Sequence, residues 1–172
     1  LHLVFKNKKN IKKIKIKYIQ TTDTSIAIKN STSVRKIEGY KEGLWWVQDF
    51  SAMAPLYLTK NLKNKNVADL CAAPGGKSFQ LINYGVKLKS FEKNNKRSQL
   101  MKDNLKRLKL NCHLEIKDIF KLNNKTFDLV VLDAPCSSIG TIRRHPEILY
   151  RKSGPDFKKI ISLQERLLDK AK

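Results

Sequence analysis

Acidic residues are scarce in this chain. Fifteen Asp and Glu stand against thirty-six Lys and Arg, a net charge of +21 over 172 residues. Such a field disfavours cationic or neutral partners and favours polyanions: RNA, DNA or an anionic membrane. A composition drifting toward Lys, Asn and Ile would give the same excess, so charge alone does not choose. Cysteine is sparse too. Cys71, Cys112 and Cys136 are odd in number and lack any C-x-x-C spacing, which points to neither a disulfide framework nor a metal site and leads us to expect a reducing, cytoplasmic compartment. No apolar run approaches the roughly 20 residues a membrane span needs, and Leu1-His2-Leu3-Val4-Phe5 is too short for a signal-peptide core, so no membrane association is expected. Missing as well is an initiator Met, and Lys172 falls inside a helical pattern, from which we expect part of a longer protein. What remains, 41% hydrophobic and 30% charged, is a globular composition long enough for a core, and a monomer is the expectation.

The most informative stretch runs Asp69-Leu70-Cys71-Ala72-Ala73-Pro74-Gly75-Gly76-Lys77. Val67 to Leu70 reads as a short buried strand. Ala72 to Gly76 is a loop of small residues that lets a ligand approach the backbone, and a helix from Lys77 turns its amide end toward that ligand. A Pro-Gly-Gly turn by itself is weak evidence. A second block, Leu132-Asp133-Ala134-Pro135-Cys136-Ser137-Ser138, follows a nearly continuous apolar run, Phe127 to Leu132, that suits a central parallel strand buried on both faces. That strand points Asp133 and Cys136 at the sheet edge that carries the loop, where doubly wound sheets bind ligands.

The first block resembles the S-adenosylmethionine loop of the RsmB/NOP family of RNA 5-methylcytosine methyltransferases, also called the Sun or Fmu family. The second, with its trailing Arg143-Arg144-His145-Pro146, is similar to that family's Asp-Ala-Pro-Cys-Ser motif. A third segment, Val47-Gln48-Asp49-Phe50-Ser51-Ala52, resembles the family's lead-in to the methyltransferase domain. The resemblance covers roughly residues 26 to 172. It implies a Rossmann-like class I methyltransferase fold, an α/β doubly wound and mainly parallel sheet. Only about four of the family's seven strands are visible, so the sheet is expected to be truncated C-terminally, with strand four an exposed, apolar and aggregation-prone edge. It also implies S-adenosylmethionine as cofactor, held by Cys71, Ala72, Ala73, Pro74, Gly75, Gly76, Lys77, Glu92, Asp118 and Asp133, and RNA, ribosomal RNA above all, as partner through Arg143 and Arg144.

Several of these positions also have a reading of their own. Val86 to Phe91 forms a second strand ending in Glu92, where Rossmann-like folds place a carboxylate that accepts from both hydroxyls of a ribose. Cys112, Leu114 and Ile116 alternate as a third strand delivering Asp118, which the family sets near the adenine amino group; a plain loop aspartate is the competing view. Between them, Asn94 to Leu110 is an amphipathic helix with Leu100, Met101, Leu105 and Leu108 on one face, ended by a left-handed Asn111. Ser153-Gly154-Pro155-Asp156 starts a last helix that buries Ile160, Ile161, Leu163, Leu167, Leu168 and Ala171.

Upstream, seven lysines and no acid fall between Lys6 and Lys17. Ile14, Ile16 and Tyr18 alternate as in a half-buried strand, the preferred reading, although Ile11, Ile14 and Tyr18 also fit one helical face. Ser25 to Lys29 and Ser33 to Ile37 read as short strands around Asn30-Ser31-Thr32. Trp45 and Trp46 suit either a core or a base-stacking platform. A helix with Pro55 in its first turn is expected over Ser51 to Leu62. The domain boundary falls in Gly39 to Gly43, giving a small β-rich accessory, RNA-binding segment over 1–42 and a methyltransferase domain over 43–172.

Methylating cytosine at C5 needs a thiolate to add at C6 first, because C5 is a poor nucleophile. Cys136, at the sheet's mouth, meets the requirement for a thiol near the cofactor, and Asp133 could hydrogen-bond the base edge. The resemblance assigns the nucleophile to another cysteine, in a Thr-Cys-Ser segment that these residues lack, and gives the Pro-Cys thiol the role of assisting product release. The expectation is thus an RNA (cytosine-5) methyltransferase whose cofactor site and release cysteine lie here, this stretch being inactive alone. A non-catalytic RNA-binding protein of the same fold is the alternative, and a dinucleotide oxidoreductase a weaker one.

Overall fold

A computed structural model describes residues 1–29, 33–123, 126–142, 145–150 and 153–172. Two four-stranded sheets organise the chain, an antiparallel one in the order β2-β3-β1-β4 and a parallel one in the order β7-β6-β5-β8. The first comprises β1 (His2–Phe5), β2 (Tyr18–Thr22), β3 (Ser25–Ile28) and β4 (Trp45–Val47). β1 lies between β3 and β4, and its Leu3, Val4 and Phe5 are all buried. The lysine-rich stretch is not the expected strand. Lys8–Lys13 is a 3-10 helix, capped by the Asn7 side chain accepting from the Lys9 N–H at 2.9 Å. With about three residues per turn, Ile11 and Ile14 fall on one side and both are buried, so a spacing of three wins over a spacing of two. Val34–Lys36 is likewise a 3-10 turn rather than a strand, leading to Gly39 in a left-handed conformation. Trp45 and Trp46 are both buried, which settles them as core rather than a stacking platform.

α1 (Phe50–Leu58) follows β4 and ends four residues before the expected Leu62. Thr59 closes it, its hydroxyl donating to the Pro55 carbonyl at 2.8 Å, and Asn61 turns left-handed just beyond. Pro55 thereby falls past the first turn. The parallel sheet then builds as strand–helix units: β5 (Asn66–Leu70), α2 (Gly76–Asn83), β6 (Lys87–Glu92), α3 (Asn95–Leu108) and β7 (His113–Ile116). β8 (Leu129–Leu132) and α4 (Phe157–Ala171) complete it. Asn94 caps α3 by accepting from the Arg97 N–H. The left-handed residue that ends α3 is Lys109 rather than Asn111, with the Leu110 N–H returning to the Leu105 carbonyl at 3.0 Å. Leu100 points to solvent, unlike Met101, Leu105 and Leu108. Cys112 precedes β7, and Ile116 is exposed. Of the face expected on α4, Leu167 is buried while Ile161 and Leu168 are exposed.

Among the described residues β8 pairs only with β5 and forms the edge of the sheet, which agrees with an open fourth strand; its residues are half-buried rather than buried on both faces. Val4 and Trp46 of the antiparallel sheet share a core with Ala72 and Ala73 of the turn after β5, Phe79 of α2, and Met101, Leu105 and Leu108 of α3. Polar ties reinforce it. Lys6 Nζ donates to the Leu108 carbonyl at 2.6 Å, and Arg107 donates to the carbonyls of Tyr40 and Trp45 while its guanidinium lies 4.2 Å from the Tyr40 ring centroid.

Candidate active site

In a parallel sheet all strand carboxyl ends share one rim, so the pairings of β5 with β6 and β8, and of β6 with β7, bring Cys71, Glu92, Asp118 and Asp133 to the same side. The turn after β5 begins with Cys71 in a left-handed conformation (φ 62°) and the Ala72 N–H bonded to the Phe91 carbonyl at 3.0 Å. Gly75 has φ 113°, and a Cβ there would come within 2.2 Å of the Phe79 ring, so no other residue fits without displacing that ring. Phe79 in turn donates its N–H to the Gly75 carbonyl at 2.8 Å, closing the first turn of α2.

Cys71, Glu92, Arg97, Asp118, Phe120 and Pro135 line one cleft at this rim, which brings together three of the expected positions, while Lys77 and Asp133 line a separate groove beside α1 and β8, and Cys136 lines neither. Glu92 is only 4% exposed. Its Oε1 accepts from the Asn94 N–H at 3.0 Å, whereas Oε2 has no hydrogen-bond donor among the described residues and lies 3.7 Å from an Arg97 nitrogen. A buried carboxylate oxygen without a donor is costly, and the hydroxyls of a ribose are donors of the kind it lacks. Asp118 caps the 3-10 turn Ile119–Lys121, accepting from the Phe120 N–H at 3.0 Å.

The second motif is tied to the first by one ion pair. Lys77 Nζ, in the first turn of α2, donates to Asp133 Oδ2 at 2.8 Å. Cys136 is exposed, its Sγ 3.9 Å from the Ser138 hydroxyl. Cys71 and Cys112 differ from it. Burial, and then the Glu92 charge, push the Cys71 thiol up to about 11; burial also pushes the Cys112 thiol up. Iodoacetamide at pH 8 is therefore expected to label Cys136 first. Labelling of Cys71 should climb only as pH approaches 11, because the folded-state thiolate forms there and not near the ordinary thiol value. Peptide mass spectrometry over a pH series reads this, and early labelling of Cys71 would contradict the geometry. The pair Arg143 and Arg144 lies outside the described residues.

Two participants escape a reading of the sequence. Arg97 donates to the Ala73 carbonyl in the turn and faces Glu92. Its only signal is a cation five residues after the strand-terminal acid. Asp69, read above as a strand residue, is 1% exposed and accepts from Ser78 at 2.5 Å, with Oδ1 unpartnered. Burial raises its carboxyl to about 7 against the Ser78 hydrogen bond. The folded chain therefore keeps a proton that the unfolded chain releases near 4, and the stability this gives at low pH is lost as pH rises toward 7.

Residues 56–172 match the sequence profile described as 16S rRNA methyltransferase RsmB/F. The chain belongs to that family. Ribosomal RNA small subunit methyltransferase B of Photorhabdus laumondii is 34% identical over 154 residues, which is 85% of this chain and 35% of that protein. The chain thus spans about a third of the length of the curated relatives it matches. Among solved structures, a methyltransferase homolog protein from Pyrococcus horikoshii superposes with a TM-score of 0.71 at 26% identity, over 98% of this chain and 58% of that one. NSun6 from Pyrococcus horikoshii, solved with the S-adenosylmethionine analogue SFG, gives 0.56 at 24% identity, over 67% and 33%. The cofactor of RsmB/F methyltransferases is S-adenosylmethionine, and the orphan Glu92 oxygen beside a turn that admits only glycine fits its ribose and methionine parts. Among the described residues of this RsmB/F chain, no helix is long and apolar enough to cross a membrane.

Proposed function

We propose that these residues form the cofactor half of an S-adenosylmethionine-dependent RNA (cytosine-5) methyltransferase that acts on ribosomal RNA. The observation that carries the reading is the parallel pairing of β5 with β8, which brings the glycine turn and the Asp-Ala-Pro-Cys block to one rim, where Lys77 Nζ meets Asp133 Oδ2 at 2.8 Å. When bound, S-adenosylmethionine supplies an electrophilic sulfonium methyl. Glu92 would hold its ribose hydroxyls and Asp118 its adenine end, while the Gly75–Gly76 backbone leaves room for the methionine part. Asp133, steered by Lys77, faces the base edge.

Cytosine C5 gains nucleophilicity when a thiolate adds at C6; C5 then takes the methyl, loses its proton, and the C6–S bond breaks to restore the ring. Of the three cysteines only Cys136 is exposed. Cys71 and Cys112 stay protonated through burial, which suits neither for addition. We assign Cys136 to release of the methylated base. The adding thiol is proposed to come from a Thr-Cys-Ser segment elsewhere in the full-length protein, since no such segment occurs in this sequence. In this scheme the segment over 1–42 is an RNA-binding accessory and 43–172 the methyltransferase domain, with Arg143 and Arg144 as RNA-binding residues and a monomeric, cytoplasmic enzyme as the working form.

The test is transfer of tritium from methyl-labelled cofactor to ribosomal RNA by the full-length protein, followed by nucleoside analysis. Label in 5-methylcytidine is the expected result. Label in an adenosine, or in protein, would overturn the assignment.

A further inference from the structure

One side chain of the Val47-Gln48-Asp49 lead-in is buried where the chemistry above makes no use of it. Gln48 sits between the two sheets. Its Oε1 accepts from Trp46 Nε1 at 2.8 Å, and its Nε2 donates to Gln80 Oε1 at 3.1 Å and, at a longer 3.4 Å, to the Ala52 carbonyl. Gln80, also buried, passes the network on, its Nε2 donating to the Met53 carbonyl at 3.1 Å and to the Tyr84 hydroxyl at 2.9 Å. One amide therefore bonds to β4 through Trp46, to α1 through Ala52 and to α2 through Gln80.

The same amide is also in packing range of the cofactor turn: a Cβ on Gly76 would lie 3.4 Å from Gln48 Cδ. Gly76 is the first residue of α2, next to the strained Gly75 and before Lys77. Hydrogen bonds fix direction in a way that apolar packing does not, and in a dry interior an unmade one is costly. The start of α2 thus takes its position partly from an amide that belongs to the segment leaving the antiparallel sheet.

We propose that Gln48 is a positioning residue for the cofactor turn, setting through Gln80 and Gly76 where the Gly75–Gly76 backbone lies relative to Glu92. It acts through α2, and the inference rests on reading that turn as the S-adenosylmethionine site. Removing its hydrogen bonds while keeping its volume should loosen the turn more than an equal loss of stability elsewhere does.

The experiment is calorimetric titration of S-adenosylmethionine into the full-length wild-type protein and into its Gln48→Met, Gln80→Met and Ile11→Ala variants. Ile11 is buried in the separate core of the antiparallel sheet, so Ile11→Ala lowers stability without touching α2. Gln48→Met and Gln80→Met are expected to raise Kd about tenfold, the size of one lost buried hydrogen bond. Ile11→Ala should stay within about twofold of wild type. Gln80→Met carries the test from the other end of the network if Gln48→Met does not fold. Wild-type affinity in the glutamine variants, or an equal loss in Ile11→Ala, overturns the proposal while leaving the cofactor reading intact. Failure of the full-length wild-type protein to bind removes that reading, and the proposal with it.

Discussion

Replacing Gly43 with alanine is expected to destabilise the chain by about 3 kcal/mol or more, the sum of an overpacked contact and a left-handed residue that acquires a Cβ. Gly43 has φ +66°, and a Cβ built on it would stand 1.9 Å from the Arg107 carbonyl oxygen and 2.8 Å from its carbon. Those atoms are backbone at the end of α3, so they cannot rotate aside as a flexible side chain does. Nor can α3 withdraw freely, because Arg107 is bonded to the Tyr40 and Trp45 carbonyls and Lys6 to the Leu108 carbonyl. Urea unfolding measures the effect as a lower midpoint at unchanged slope. Gly154→Ala is the control. Nothing lies within 4 Å of a Cβ there, and the change should stay within about 0.5 kcal/mol. Equal midpoints for the two variants would show that the close approach at Gly43 is not real.

Glu92→Gln is expected to weaken S-adenosylmethionine binding by about 30- to 100-fold, roughly 2–3 kcal/mol, because a hydroxyl bonded to a charged acceptor is worth more than one bonded to an amide. Glutamine keeps the shape and can still accept from the Asn94 N–H, so the loss isolates the second oxygen, the one without a donor. Stability without cofactor should hold or rise, since a buried carboxylate oxygen is replaced by a neutral group that can donate. Titration calorimetry and a thermal melt of the same sample read the two effects with opposite signs. Unchanged affinity would sink the role given to Glu92. A lower melting point in the absence of ligand would mean instead that its pairing with Arg97 is structural.

The parallel sheet was legible because each of its strands carries a local signature: an apolar run, then a glycine turn, an acid or a Pro-Cys at the carboxyl end. Those signatures lie on consecutive residues and survive without knowledge of the fold. The antiparallel sheet was not legible in the same way. In Lys6 to Tyr18, Ile14 belongs equally to a spacing of two and a spacing of three, and burial against Phe5, Ile26 and Trp45 chooses between them. β1 shows no alternation, because Leu3, Val4 and Phe5 are all buried. Of the candidate site, the turn after β5 and the places of Glu92 and Asp133 at strand ends were readable by position. Arg97 on Ala73, Lys77 on Asp133 and Gln48 on Gln80 were not, since each joins segments 24 to 56 residues apart. Helix ends failed for a smaller reason: Thr59 and Lys109 stop α1 and α3 through local hydrogen bonds that residues of their type form only in context.

The free side of β8 has a consequence for how the molecule behaves in solution. Leu129 to Leu132 present amide and carbonyl groups in a row with no strand beyond them among the described residues, beside a groove formed with Ala52, Pro55 and Leu56 of α1. In this stretch taken by itself, two copies meeting along that row would knit their sheets into one continuous ribbon, so self-association would rise with protein concentration.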